Sequence, residues 1–187
     1  MQHKILETSS KDKIHIFDGV FGVNEQYKFL NFIEKSNFTF NSTSSNSKTV
    51  NYETTFGSMF NQTDLHNLGI LDTDGYKTIM SNFEGYEPKR CWVTCSYHGL
   101  SNRLHTDCTM ISGDRITLLY YVNIEWNYTW GGETQFCDRQ GEMEIVSEYK
   151  PNRVVVFNSK IPHRPACTTG ESPYRFTLVI QHAKSND

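Results

Sequence analysis

Residues 90–98, Arg90-Cys-Trp-Val-Thr-Cys-Ser-Tyr-His98, open a long stretch of short β-branched and aromatic runs separated by turn residues. Such residues suit a pleated, half-buried surface, and the same texture predicts strands at 90–98, 103–109, 115–123, 133–138, 142–147, 153–157, 163–169 and 174–182. Short strands punctuated by Gly, Pro, Asn and Asp argue for a β-sandwich or distorted barrel. Working outward toward the N-terminus, Lys13-Ile-His-Ile-Phe17 alternates as a strand, and Asn24 is placed to cap a helix over Glu25 to Ser36 with Tyr27, Leu30 and Ile33 on its buried stripe. A second helix is expected from Asp72 or Asp74 to about Phe83, carrying Tyr76, Ile79, Met80 and Phe83 on one side until Gly85 and Pro88 break the pattern. Both helices should pack across one outer face of the β region. Between them, residues 41–48 (NSTSSNSK) have nothing to bury and read as a loop.

The chain has 187 residues, 37% of them hydrophobic, which fits one domain. At this length roughly 70% of the extended surface is removed on folding, enough for a core without disulfides or structural metal. A single domain over 1–187 is expected, with 1–89 as a helical support region and 90–182 as the β core. Eighteen Lys and Arg stand against 21 Asp and Glu, and the net charge of −3 offers no long-range attraction to nucleic acid or anionic lipid. The N-terminal residues have no signal-peptide apolar core and no apolar run approaches a membrane span, so a cytoplasmic location is expected. Five cysteines, Cys91, Cys95, Cys108, Cys137 and Cys167, form no metal or disulfide pattern and read as reduced thiols.

Chemistry concentrates in Leu104-His-Thr-Asp107. In extended chain, His105 and Asp107 share a face, and a third candidate ligand, His163, follows in Lys160-Ile-Pro-His-Arg-Pro165. Two imidazoles and one carboxylate on one face of a metal, with the other positions open, are the ligand set of non-haem Fe(II) oxygenases. Farther on, Arg175 stands in Tyr174-Arg-Phe-Thr-Leu-Val-Ile180; its planar fork suits a carboxylate, and alternation puts Thr177 on its side while Phe176, Leu178 and Ile180 point away. His3, His15, His66, His98 and His182 have no partners at ligand spacing and read as structural.

These elements, with Ile116-Thr-Leu-Leu-Tyr-Tyr-Val-Asn123, Gly131-Gly-Glu-Thr-Gln-Phe136 and Arg153-Val-Val-Val-Phe157 between them, resemble the 2-oxoglutarate/Fe(II)-dependent dioxygenase superfamily, in particular its prolyl 4-hydroxylase-like branch, over about Arg90 to His182. The resemblance implies a double-stranded β-helix core of the jelly-roll or cupin kind. It implies that His105, Asp107 and His163 bind Fe(II), that Arg175 holds the distal carboxylate of 2-oxoglutarate, and that Tyr121, Tyr97, Thr134 and Thr177 line the co-substrate pocket. It further implies O2 as the second co-substrate, ascorbate as a supporting reductant, and succinate and CO2 as co-products. By alternation Thr117, Leu119 and Tyr121 share the inward face, but a one-residue slip in register would exchange Tyr121 for Tyr120.

The position six residues after Arg175 holds Gln181, where the nucleic-acid demethylases of the superfamily carry a second arginine, which counts against base repair. The substrate expected from the resemblance is a prolyl residue in a peptide or protein. A free amino acid or small metabolite is the alternative within the same chemistry, and a non-catalytic metal-binding module is the alternative outside it. Trp126 and Trp130, in a connector with Tyr128, are candidates for a substrate-groove wall or for a hydrophobic latch within the fold. Gly131-Gly132 is expected to serve a tight turn rather than a ligand.

Overall fold

In the computed structural model, which describes residues 1–40, 56–100, 103–109 and 113–184, the strands are β1 (Gln2–Glu7), β2 (Lys13–Asp18), β3 (Thr39–Phe40), β4 (Phe56–Phe60), β5 (Tyr86–Ser96), β6 (Arg115–Tyr121), β7 (Thr134–Cys137), β8 (Met143–Ser147), β9 (Arg153–Asn158), β10 (His163–Pro165) and β11 (Arg175–Lys184). The helices are α1 (Val23–Glu34), α2 (Gln62–Leu68) and α3 (Asp74–Met80), with a short 3-10 turn at Ile70–Asp72. An eight-stranded antiparallel sheet runs β1-β2-β9-β6-β11-β5-β4-β3, and a three-stranded sheet runs β10-β7-β8.

Period-2 alternation divides the large sheet into two faces. Leu118 and Tyr120 of β6, Val154 and Val156 of β9, and Phe176, Leu178 and Ile180 of β11 point outward into a core closed by Phe29 and Ile33 of α1, Leu65 and Leu68 of α2, and Tyr76 and Ile79 of α3. Leu119, Tyr121, Val155, Phe157 and Val179 point the other way and pack with Phe136 and Ile145 of the small sheet. The register expected for Tyr121 therefore holds: Tyr120 is locked edge-on against Phe21, and Tyr121 faces inward. This is the double-stranded β-helix layout, with helices on one face and the small sheet on the other.

Several local expectations change. Residues 103–109 form no strand; one isolated antiparallel bridge, His105 to His163, ties this segment to the sheet. The predicted strand 163–169 is a regular strand only over His163–Pro165; beyond it the same antiparallel register continues loosely, through the Ala166 N–H to Glu133 O bond and an isolated bridge between Thr168 and Gly131. The region 1–89 is not only helical support, since β1 to β4 extend the large sheet on both edges. Helix α1 starts one residue before Asn24: Gly22 is the cap, and its N–H donates to Glu25 Oε2 at 2.7 Å. Without alternation or a long apolar stripe, α2 and β4 carried no signal. The 41–48 loop lies outside the described residues. All five cysteines are free, and no helix among the described residues is long and apolar enough to cross a membrane.

Candidate active site

The bridge to His163 is what positions the loop bearing His105 and Asp107. His105 N–H donates to His163 O at 3.0 Å, His163 N–H returns to His105 O at 2.9 Å, and Asp107 N–H donates to Ser159 O at 3.0 Å. The imidazole centroids then lie 4.5 Å apart. Asp107 Oδ1 is 3.7 Å from His105 Nε2, and its Oδ2 is 3.6 Å from His163 Nε2. One ligand atom from each residue falls within 4.8 Å of the others, spacing that fits a single ion.

Hydrogen bonds at the far side of each ring prepare the donor atoms. His105 Nδ1 is 2.9 Å from Arg103 O, and His163 Nδ1 is 3.0 Å from Ile161 O. A carbonyl only accepts, so each Nδ1 carries the proton and each Nε2 offers its lone pair inward. Burial pulls the His163 pKa down to about 4, outweighing the opposing pull of Asp107, with His105 adding to the drop; the ring is neutral near pH 7, as a metal ligand must be. Thr117 Oγ1 donates to Asp107 Oδ2 at 2.7 Å. Because that spends the Thr117 proton, Ser159 Oγ, 2.9 Å away, donates to Thr117. Gln181 Nε2 donates to the Asp107 carbonyl at 2.9 Å and is itself held by Arg115.

Across the same cleft lies Arg175, 2% exposed. Its Nε donates to Gly132 O at 2.7 Å, and its guanidinium carbon sits 4.6 Å from the Tyr149 ring centre and 5.7 Å from that of Tyr121. Burial pulls its pKa down, but guanidinium stays charged at any working pH. No carboxylate among the described residues pairs with it. A buried cation without an anion is costly, so the arrangement suits an incoming carboxylate. Thr177 Oγ1, buried on the same cleft, also lacks a hydrogen-bond partner. The residues present thus fit both a divalent metal and a carboxylate-bearing chelator.

Other expected site residues are placed unequally. Thr134 lines the cleft and accepts from Tyr121 Oη at 2.8 Å, so Tyr121 acts through Thr134 and through its ring. Tyr97 is not a lining residue; it packs against Phe56 with ring centres 6.0 Å apart, and Trp92 and Thr94 take the corresponding face of β5. The aromatic connector is a latch. Trp126 Nε1 donates to Gly131 O at 3.0 Å, its ring lies 4.4 Å from Tyr149 and 5.4 Å edge-on from Trp130, and neither indole lines the cleft. Gly131 and Gly132 both have positive φ, and a Cβ on Gly132 would come within 3.0 Å of Arg175 Cδ. Sequence reasoning missed Tyr149, whose ring stacks on Tyr121 at 4.5 Å and whose hydroxyl lies 2.5 Å from Phe176 O and 2.6 Å from Asn123 Oδ1. No local signal marks it, since it reaches Arg175 only through the packing of the two sheets.

The family model of the 2OG-Fe(II) oxygenase superfamily matches residues 91–180. A comparison with curated proteins finds no match. Among solved structures, the chain is similar to a prolyl hydroxylase from Trichoplax adhaerens in complex with a hypoxia inducible factor oxygen degradation domain peptide fragment, at 18% identity and a TM-score of 0.69, covering 92% of this chain and 84% of that one. It is also similar to a Pseudomonas putida prolyl-4-hydroxylase, at 14% identity and a TM-score of 0.66, covering 91% and 92%. HygX from Streptomyces hygroscopicus, solved with nickel and 2-oxoglutarate bound, gives 11% identity and a TM-score of 0.67, covering 92% and 83%.

Proposed function

From the premise that residues 91–180 belong to the 2OG-Fe(II) oxygenase superfamily, we propose that this chain hydroxylates a prolyl residue in a peptide or protein. The observation that carries the oxygenase reading is the pairing of three inward ligand atoms with a buried, unpaired guanidinium on one cleft. Fe(II) and 2-oxoglutarate supply the oxidising chemistry: one C–H, one O2 and one keto acid give one C–OH, succinate and CO2.

The chain's own residues bind and orient. His105, Asp107 and His163 would hold the metal through two Nε2 atoms and one carboxylate oxygen. Arg175, set on Tyr149 and Tyr121 and pinned by Gly132 O, takes the far carboxylate of the keto acid. Thr177 offers that carboxylate a hydroxyl, and Thr134 contributes the cleft wall beside it. Leu119 and Val179 line the cleft and exclude water from the bound keto acid. The prolyl substrate is supported by likeness of fold to two prolyl hydroxylases, one solved with a peptide.

The test of the site is anaerobic titration with Fe(II) and then 2-oxoglutarate, following the visible charge-transfer band of a chelated keto acid. Wild type should develop the band. His163→Ala should not, and Arg175→Ala should need at least tenfold more keto acid while retaining a cooperative unfolding transition. No band in folded, iron-loaded wild type would overturn the oxygenase site. The prolyl assignment is tested separately, by offering proline-containing peptides and free amino acids and reading a gain of one oxygen by mass. Oxidation confined to free amino acids would replace it with the small-metabolite reading.

A further inference from the structure

The lining of the cleft is unevenly buried. Leu119, Thr134, His163, Arg175, Thr177 and Val179 are buried, whereas Trp92 and Thr94 on β5 are only partly covered. The triad repeats the asymmetry: the His105 side chain is 30% exposed, against 4% for His163 and 5% for Asp107. One open flank of the cleft is thus bordered by Trp92 and Thr94 of β5, and a substrate approaching along it meets that strand first.

Strand register shows what it meets there. Val179 pairs with Trp92, and Trp92 pairs with Met59 of β4, so these three side chains share the cleft face in one row across the sheet. In the next row Thr117 and Arg90 flank Gln181. Arg90 is exposed, and its guanidinium carbon lies 5.3 Å from the centre of the Trp92 ring. Among the described residues it makes no ion pair and no side-chain hydrogen bond. Stacking orients the planar fork and leaves its N–H donors unspent. Met59, 58% exposed, adds a pliable apolar contact beside the indole.

We infer that Arg90, stacked on Trp92 and flanked by Met59, reads a carboxylate on the substrate, so that the preferred peptide carries Asp or Glu close to the oxidised proline. This deepens the prolyl-hydroxylase reading and rests on it for the peptide. Charge complementarity selects the occupant: a bidentate carboxylate satisfies Arg90, while an apolar or basic flank leaves the cation unpaired. Arg90 lies one strand from Gln181 and two from Thr117, the residues that hold Asp107, or about 5 and 10 Å across the sheet, so the acidic residue should fall within about three positions of the target. The chain's net charge of −3 opposes acidic ligands at long range, so the selection is made by this local cation.

The experiment presents full-length wild type and Arg90→Gln, loaded with Fe(II) and 2-oxoglutarate, with a proline peptide set in which each flanking position is Asp, Asn or Lys, together with small dicarboxylic and neutral amino acids. Oxygen gain and succinate are read out. Quenching of tryptophan fluorescence by the same ligands is measured in nickel-loaded protein. Asp peptides should be used at least tenfold more efficiently than Asn peptides by wild type, and Arg90→Gln should reduce that ratio to below threefold without changing the keto-acid charge-transfer titration. Hydroxylated proline with no charge preference, or a preference that survives Arg90→Gln, overturns the inference and leaves the prolyl reading standing. Selective oxidation of an acidic small molecule, with its KM raised in Arg90→Gln, removes the prolyl reading and retains the carboxylate reader. Failure of every acidic ligand to be oxidised or to quench more strongly than its neutral counterpart overturns the inference.

Discussion

Thr117 shows how much of a metal site resides in groups that do not touch the metal. Its hydroxyl is committed to Asp107 Oδ2, and Ser159 in turn commits a proton to it, so one carboxylate oxygen is pinned while the other faces His105. Removing such an orienting bond commonly costs ten- to hundredfold in metal affinity. Thr117→Val, nearly equal in shape, should therefore weaken Fe(II) binding by about tenfold or more, measured by anaerobic calorimetry. Thr177→Val removes a hydroxyl that has no protein partner. It should leave Fe(II) affinity within twofold and raise the KM for 2-oxoglutarate. Equal iron affinity in wild type and Thr117→Val would mean that Asp107 is held by its backbone alone. Gln181, read in the sequence only as a missing arginine, has a positive role of the same kind, since it fixes the Asp107 carbonyl.

At the scale of elements, the connector between β6 and β7 carries more packing than its polar composition suggests. Trp126 braces Tyr149 from outside, and Tyr149 underlies Arg175, so the latch and the proposed co-substrate anchor form one stack. Trp126→Ala should lower the unfolding free energy by about 2–3 kcal/mol, as for a partly buried large aromatic. It should also raise the KM for 2-oxoglutarate while leaving that for peptide unchanged. Chemical denaturation and steady-state kinetics on the same preparation check both halves. A rise in peptide KM alone would instead make the connector a groove wall. The three tryptophans thus divide by role: Trp126 and Trp130 belong to the frame, and Trp92 faces the cleft.

The whole molecule is held together across the large sheet by contacts that couple helices to strands, and one of them titrates. His182 of β11 is fully buried, and its Nε2 lies 2.8 Å from Tyr76 Oη of α3. Burial pulls the His182 pKa down to about 4, from an ordinary value of 6.5. Between these two values the unfolded chain binds a proton that the folded chain refuses, so stability falls as the pH drops from about 6.5 toward 4 and is insensitive to this group above 6.5. The loss attributable to His182 should reach about 3 kcal/mol at pH 4. Urea midpoints for wild type and His182→Gln across this range isolate it: the variant should lose the His182 part of the slope, and parallel curves would show that His182 charges without penalty. With all cysteines free, reductant should not shift either curve.

The sequence by itself determined what is local or strictly periodic. That His105, Asp107, His163 and Arg175 are candidates was legible because metal and carboxylate chemistry restrict the residues that can serve, and the structure brings all four to one cleft. The inward choice of Thr117, Leu119 and Tyr121, and the sidedness of β11, were legible because strand alternation has a period of two. Only the tertiary structure decided that residues 103–109 form a loop tied by one bridge, that β1 to β4 join the large sheet, that Tyr149 lies beneath Arg175 while Tyr97 does not line the cleft, and that Trp126 and Trp130 brace the fold. Each of those outcomes depends on pairing between segments far apart in the chain, and the free energy that selects one pairing is the burial of surfaces whose partners no local pattern names.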